Sequence, residues 1–461
     1  MFTRFIFSIL YLLGFFAFVF TSACNHPVDA SENSNKIDQN SFLSLGGYDS
    51  PESDQTIRQI AENWQPGYAP PLIEIIYFSR DRALRPKLFS LLQKKTSSEN
   101  VFALDKIYEK IWNQEIVTPD WYPKFKQTLY SKIDSRFSEY FKNTENKTIR
   151  LDEIRWGGVV QNGIPPLRAP IMLKVSEADY LEDSNVVFGI EIDGDSRAYP
   201  KRILAWHEMF IDFVGGKSVT GAYCTLCGSM ILYNNEAGGK EHKLGTSGFL
   251  YRSNKLMFDE DTNSFWNTLL GEPVVGPLVG KGIALERLPV VTTTWGQWKK
   301  LHPETTVLSL KTGHSRDYSE GQAYREYFAT DDLMFNVPKL DKRLKNKAEI
   351  LALHNSSAKE APLAISSDFL KRAPIYPVKF SGQDYIVLTD HSGAHRVYQT
   401  DNQKFTKWDQ QSSLKDSSGQ DWKLTEASLI SSENVKLHRV PAHNAFWFGW
   451  YAAFPNTKLI H

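Results

Sequence analysis

Two stretches of this chain spell one pattern at a fixed offset, and that repeat limits the possible folds more than any other feature. Residues 285–308 read LERLPVVTTTWGQWKKLHPETTVL, and residues 437–460 read LHRVPAHNAFWFGWYAAFPNTKLI. Arg287, Pro289, Trp295, Trp298, Pro303 and Thr305 match Arg439, Pro441, Trp447, Trp450, Pro455 and Thr457. Agreement that includes two tryptophan pairs is improbable by chance and points to one supersecondary unit used twice. A Trp-x-x-Trp on a helix puts both rings on one face, and its plain reading is core packing against a sheet. Fainter echoes lie upstream: Ala361-Pro362-Leu363 resembles Ala198-Tyr199-Pro200, and SGQDYIVLTDHSGAHRVY resembles GGKSVTGAYCTLCGSMILY. That alignment sets Thr389 and Ser392 near the positions of two cysteines. The expected fold class is α+β: a β-rich mixed domain of two related units, about 151–340 and 341–461, with the second unit structural.

The local texture agrees with a mixed fold. FGIEIDGDSRAYP alternates apolar and polar residues around Asp193-Gly194, a hairpin signal. RILAWHEMFIDF reads as helix, while SVTGAYC and GSMILYNN read as strands. Ahead of this domain, PKLFSLLQKK and LDKIYEKIW carry apolar residues at helical spacing, and prolines at 66, 70, 71, 86, 119 and 123 punctuate the region. Residues 51–145 are therefore expected to form a small α-helical module. It has no catalytic constellation and reads as a spacer or docking element.

A length of 461 residues suggests two or three domains. The 53 Lys+Arg balance the 53 Asp+Glu, so charge gives no support to a general nucleic-acid binder, which must displace phosphate counterions. Three cysteines are too few for a disulfide scaffold. The first, Cys24, ends a secretory-type segment: Arg4, an apolar run from Phe5 to Phe20, then Thr21, Ser22 and Ala23. Residues 1–23 are expected to be a signal peptide with a lipobox-like end, although Thr21 replaces the usual leucine. In bacterial lipoproteins such a cysteine carries acyl chains, which would make Cys24 a lipid anchor and membrane lipid a partner. Residues 24–50, rich in Asn, Ser, Asp and Gly, read as a flexible tether. Asn25 leans, by analogy with lipoprotein sorting, towards an outer-membrane destination. The expected location is the bacterial cell envelope, exported and lipid-anchored.

The other two cysteines form the sharpest motif, Tyr223-Cys224-Thr225-Leu226-Cys227-Gly228-Ser229. Three chemistries fit the spacing. A reversible dithiol/disulfide needs a thiolate stabilised by nearby positive charge. A copper or zinc site needs further ligands, for which His207, His242, His302 and His314 are candidates and His207 stands nearest in sequence. A structural disulfide needs nothing more. A c-type haem is excluded, because Gly228 stands where histidine is required. A thioredoxin-like site is disfavoured, because Cys227 leads into a β-like run. His207 could serve as general base and Glu208 could carry protons or orient a partner. Arg197 could stabilise a thiolate or an anionic substrate, or simply pair with Asp193 or Asp195. Gly245-Thr246-Ser247-Gly248 with Tyr251, Ser253 and Asn254 could line a polar pocket. Ser315-Arg316-Asp317-Tyr318 is a weaker candidate for its rim.

The stretches DGDSRAYPKRILAWHEMFIDFVGGKSVTGAYCTLCGSMILY, GTSGFLYRSNKLMFDEDTNSFWNTLLGEPVVGPLVG, TTTWGQWKKLHPETTVLS and TGHSRDY together resemble the domain of unknown function 3179 family. The resemblance covers roughly 155–335, with the repeat-like tail behind it. Some members look like selenoproteins, with selenocysteine in the segment matching Cys224 to Cys227. The resemblance thus implies thiol redox at Cys224 and Cys227, with an envelope redox partner or substrate that it does not identify.

Overall fold

The computed structural model describes residues 37–114, 116–355 and 360–461. The signal segment, Cys24 and the first part of the expected tether lie outside the described residues. Residues 38–461 form one compact unit. Packing begins earlier than the sequence suggested. Asp38 caps the helix Gln39–Ser44 by accepting from the Asn40 and Ser41 backbone, and Phe42 is fully buried. The expected tether over 24–50 therefore gives way to folded chain across its last part. Among the described residues no helix is long and apolar enough to cross a membrane.

Helices between Gln39 and Tyr140 make the N-terminal module. Leu88, Leu91 and Leu92 of the first expected helix and Ile107, Tyr108 and Ile111 of the second are buried, as their spacing required. The module docks on a sheet and does not merely space it. Its Tyr130, Phe137, Tyr140 and Phe141 rings meet Phe249 at 4.8–5.9 Å. Buried Lys126 lies 2.7 Å from buried Glu74 and donates to the Ile154 carbonyl at 3.0 Å. Desolvating two charges is tolerated only with partners this close.

The rest is strand-rich. A first stretch holds β1 (Val186–Ile192), β2 (Asp195–Pro200), α1 (Lys201–His207), β3 (Met209–Val214), β4 (Lys217–Cys224), β5 (Ser229–Asn234), β6 (Leu244–Tyr251), β7 (Asn254–Asp259), β8 (Val291–Thr294), α2 (Trp295–Leu301) and β9 (Thr306–Leu308). After α3 (Arg325–Ala329) comes a second stretch. It holds β10 (Glu349–Leu353), β11 (Leu363–Ser366), α4 (Ser367–Arg372), β12 (Ile375–Phe380), β13 (Gln383–Thr389), β14 (His395–Gln399), β15 (His443–Phe446), α5 (Trp447–Ala453) and β16 (Lys458–Ile460). The β1–β2 turn is the expected hairpin: Asp193 and Gly194 both take positive φ, 48° and 88°, as a type I′ turn requires.

The pairings of the two stretches run in parallel. β1 pairs antiparallel with β8, and β10 with β15. β2 pairs parallel with β9, and β11 with β16. β3–β4–β5 and β12–β13–β14 are both antiparallel meanders. All four repeat tryptophans are buried on their helices. Trp298 donates to Thr305 Oγ1 and Trp450 to Thr457 Oγ1, each at 2.9 Å. The backbone register is tighter than the sequence alignment. Tyr223 N–H donates to Glu208 O at 2.7 Å where Thr389 N–H donates to Pro374 O at 2.9 Å. Cys227 N–H donates to Cys224 O at 3.1 Å where Gly393 N–H donates to Asp390 O at 2.9 Å. Asp390 and Gly393, which flank Ser392, thus make the backbone bond in the second stretch that Cys224 and Cys227 make in the first.

One expected element divides. RILAWHEMFIDF is helix only to His207, and Met209 starts β3. Glu208 between them sits in the left-handed region at φ 56°, a conformation that costs about 1–2 kcal/mol for a residue with a Cβ and turns the chain from helix to strand.

Candidate functional site

Cys224 ends β4 and Cys227 lies in the tight turn before β5. Cys224 pairs in register with Ser229, so the turn closes the hairpin and brings the two sulfurs to 2.8 Å. Both thiols are free and buried, with 3% and 1% of each residue exposed.

β7 and the residue ahead of it pass beside this turn. The Ser253 carbonyl, just ahead of β7, lies 3.2 Å from Cys227 Sγ and accepts its proton. Lys255 acts on Cys224, whose thiol its backbone N–H helps to lower. The Lys255 ammonium, buried with its residue 4% exposed, donates to Glu208 O at 2.9 Å and Tyr223 O at 3.1 Å, and lies 3.0 Å from Glu208 Oε2. These contacts set the two thiols apart. For Cys224, burial pushes the thiol up, and the Glu208 carboxylate adds to this. The hydrogen bond with Cys227 and the Lys255 ammonium and N–H outweigh both and leave it below its ordinary value. For Cys227, burial and the bond to Cys224 act in one direction and hold the thiol well above the ordinary value.

The second stretch closes the site. Phe446 N–H donates to Cys227 O at 2.7 Å. Gly449 in α5 lies so close that a Cβ there would stand 3.2 Å from Cys227 Cβ and 3.4 Å from its sulfur. Asn254 donates to the Gly449 carbonyl at 3.0 Å, while its Oδ1 is buried without a partner. The hydroxyls of Tyr223, Thr225 and Ser229 around the turn are likewise buried and unpartnered. Over the cysteines lies an aromatic cover from α3 and its flanks: Tyr324, Tyr327, Phe328 and Phe335 pack against Leu226 and the thiols. Tyr327 donates to the Leu226 carbonyl at 2.7 Å.

Of the residues expected in the site, Glu208 joins the dithiol and His207 does not. His207 is fully buried, and burial pulls its pKa down to about 4. Its Nδ1 lies 2.9 Å from the Pro165 carbonyl, which can only accept, so Nδ1 carries the proton. Its Nε2 then accepts from Tyr318 OH at 2.5 Å. This neutral imidazole is fully engaged away from the sulfurs. Among the described residues no group of three or more His, Cys, Asp or Glu is arranged to hold a metal. The expected Cys224, Cys227 and His207 ligand set for copper or zinc is thus not assembled. His242 lies 2.7 Å from Asp259 and His302 lies 3.2 Å from Ser196.

Arg197 also serves elsewhere. It grips Asp195 at 2.8 Å and Asp212 at 2.7 Å, and Asp212 in turn accepts from Tyr199 at 2.6 Å. The alternative pairing with Asp195 is therefore the one present. Gly245 to Gly248 lie within irregular β6, where Thr246 and Ser247 hydroxyls donate to the Ile164 and Leu256 carbonyls. Tyr318 holds His207, and the Asp317 carbonyl accepts from Trp206 at 2.8 Å. Lys255, Tyr327 and Gly449 were missed. Lys255 alone left a trace: a lysine inside the apolar strand NKLMFD, where burial of a charge demands a partner.

A model of the family described as protein of unknown function (DUF3179) matches residues 161–457. The chain belongs to the DUF3179 family. The match spans the first stretch, the second as far as residue 457, the dithiol turn and the α5 segment that seats it, so the dithiol lies inside the family domain. No curated protein and no solved structure matches the chain.

Proposed function

We propose that this DUF3179 protein is a thiol-redox protein whose Cys224–Cys227 pair cycles between dithiol and disulfide. The observation that carries the reading is the pair of free sulfurs 2.8 Å apart, with the Ser253 carbonyl 3.2 Å from one and the Lys255 ammonium bound to the Tyr223 carbonyl just before the other. A structural disulfide needs no such asymmetry, whereas exchange needs one stabilised thiolate. In the forward direction the S–S bond forms as the two thiols lose two electrons and two protons. A disulfide on a partner takes up both and becomes a dithiol. The sequence of residues 1–24 supports placing this exchange in the cell envelope, with Cys24 as the lipid anchor and an envelope disulfide as the partner.

The test uses reduced folded protein and glutathione disulfide. The reading expects two glutathione molecules released per chain and a mass loss of two hydrogens, with neither in the Cys224→Ser/Cys227→Ser double variant. Persistence of both thiols in the folded protein overturns it.

A further inference from the structure

The redox reading leaves open which sulfur attacks, and the strand beside the pair decides it. One backbone group of the neighbouring segment sets the two sulfurs apart: the Ser253 carbonyl lies 3.2 Å from Cys227 Sγ. A carbonyl can only accept, so it favours a sulfur that keeps its proton. The Lys255 ammonium adds positive charge beside Tyr223, the residue just before Cys224. Its nitrogen is held by the carbonyls of Glu208 and Tyr223 and by the Glu208 carboxylate at 3.0 Å. A lysine fixed by three acceptors cannot swing away, and in a buried site its charge is weakly screened. Gly449 and Phe446 meanwhile pin Cys227 from the other side.

We infer that Cys224 is the thiolate that attacks a partner disulfide, that Cys227 is the resolving thiol, and that Lys255 is the positioning residue that fixes this order. The inference rests on the redox reading. In the first step a bond forms between Cys224 sulfur and one partner sulfur, and the partner S–S bond breaks. The departing partner thiolate takes a proton from water. In the second step Cys227 loses its proton and attacks Cys224 sulfur. The intramolecular S–S bond forms, the mixed disulfide breaks, and the second partner thiolate takes up that proton. Two electrons pass from the protein pair to the partner.

The ultraviolet thiolate absorbance of the reduced protein, followed against pH, tests the order together with the rate of reaction with glutathione disulfide. In Lys255→Met the Cys224 thiolate fraction at neutral pH and the rate should each fall about tenfold, equivalent to one pH unit of titration. Lys255→Arg keeps the charge and should recover most of the loss. Glu208→Gln removes the carboxylate that opposes ionisation and should raise the thiolate fraction. Opposite signs at Lys255 and Glu208 are not what lost packing produces, and Glu208→Gln decides the matter if Lys255→Met fails to fold. With Cys227→Ser, glutathione should remain attached at Cys224. Attachment at Cys227 in Cys224→Ser at the greater rate, or no change of titration in Glu208→Gln, overturns the inference and leaves disulfide cycling intact. Absence of cycling in the unaltered protein overturns the redox reading itself.

Discussion

Replacing Gly228 by alanine probes how the second stretch seats the dithiol turn. Gly228 has φ +60°, and a Cβ built there would lie 2.9 Å from two ring carbons of Phe446. A side chain in the left-handed region costs about 1–2 kcal/mol. Forcing a methyl against a packed ring costs about a further 1–3 kcal/mol, so Gly228→Ala should destabilise by about 2–5 kcal/mol. Gly382, in the β12–β13 turn, isolates the first part: its φ is +74° and nothing lies within 4 Å of the added Cβ. Gly382→Ala should therefore cost only about 1–2 kcal/mol. Urea unfolding followed by tryptophan fluorescence measures both, and the comparison is valid where the transition slopes agree. Equal losses in the two variants would refute the packing of Phe446 on the dithiol turn, and with it the claim that the second stretch builds part of the site.

Further outcomes follow from the buried charges and the cover. Where the first stretch has Cys224, the second has Asp390 bound to buried Arg396 at 2.9 Å, and Glu426 bridges Arg396 at 2.7 Å and Arg439. Glu426→Gln leaves buried guanidinium charge unpaired and should cost about 3–5 kcal/mol by the same unfolding assay; a loss below about 1 kcal/mol would contradict the network. Burial holds His207 and His354 down to about 4, and His395 and His443 to about 3. Their unfolded forms take protons near 6.5, so the folded state binds fewer. Stability from these groups is complete above about pH 6.5 and is lost as pH falls towards about 4 for His207 and His354 and towards about 3 for His395 and His443; a melting temperature unchanged between pH 7 and 5 would contradict their burial as neutral rings. Tyr327→Phe removes the bond from the cover to Leu226 and should speed iodoacetamide labelling of the dithiol severalfold at unchanged thiolate absorbance. An unaltered labelling rate would show that the cover does not control access.

Local chemistry was legible where one segment carries its own signal. The Trp-x-x-Trp pattern marked α2 and α5, because both rings and the threonine that binds the indole lie within one supersecondary unit. Asp193-Gly194 marked its turn, because two consecutive positive φ values demand such residues. The end of α1 was illegible, since a glutamate in the left-handed region follows no propensity and is held there by Lys255, nearly fifty residues away in sequence. His207 and Arg197 were drawn to the dithiol by proximity along the chain. Yet His207 bonds Pro165 and Tyr318, and Arg197 bonds Asp195 and Asp212. The dithiol's true partners come from β7, α3 and α5, brought in by tertiary pairing that single-sequence patterns do not encode. Gly449 illustrates the limit: its importance is an absent side chain, visible only once Cys227 stands against it.

The central claim is that Cys224 and Cys227 form a reversible redox pair in the folded chain. An equilibrium titration of the intact protein in buffers of graded reduced and oxidised glutathione, read by the mass of the peptide containing both cysteines, tests it most directly. The account predicts one two-electron transition per chain, identical on oxidation and reduction, with the native fluorescence retained throughout. A pair that stays fully reduced or fully oxidised across the series, or that changes state only when the protein unfolds, would contradict it.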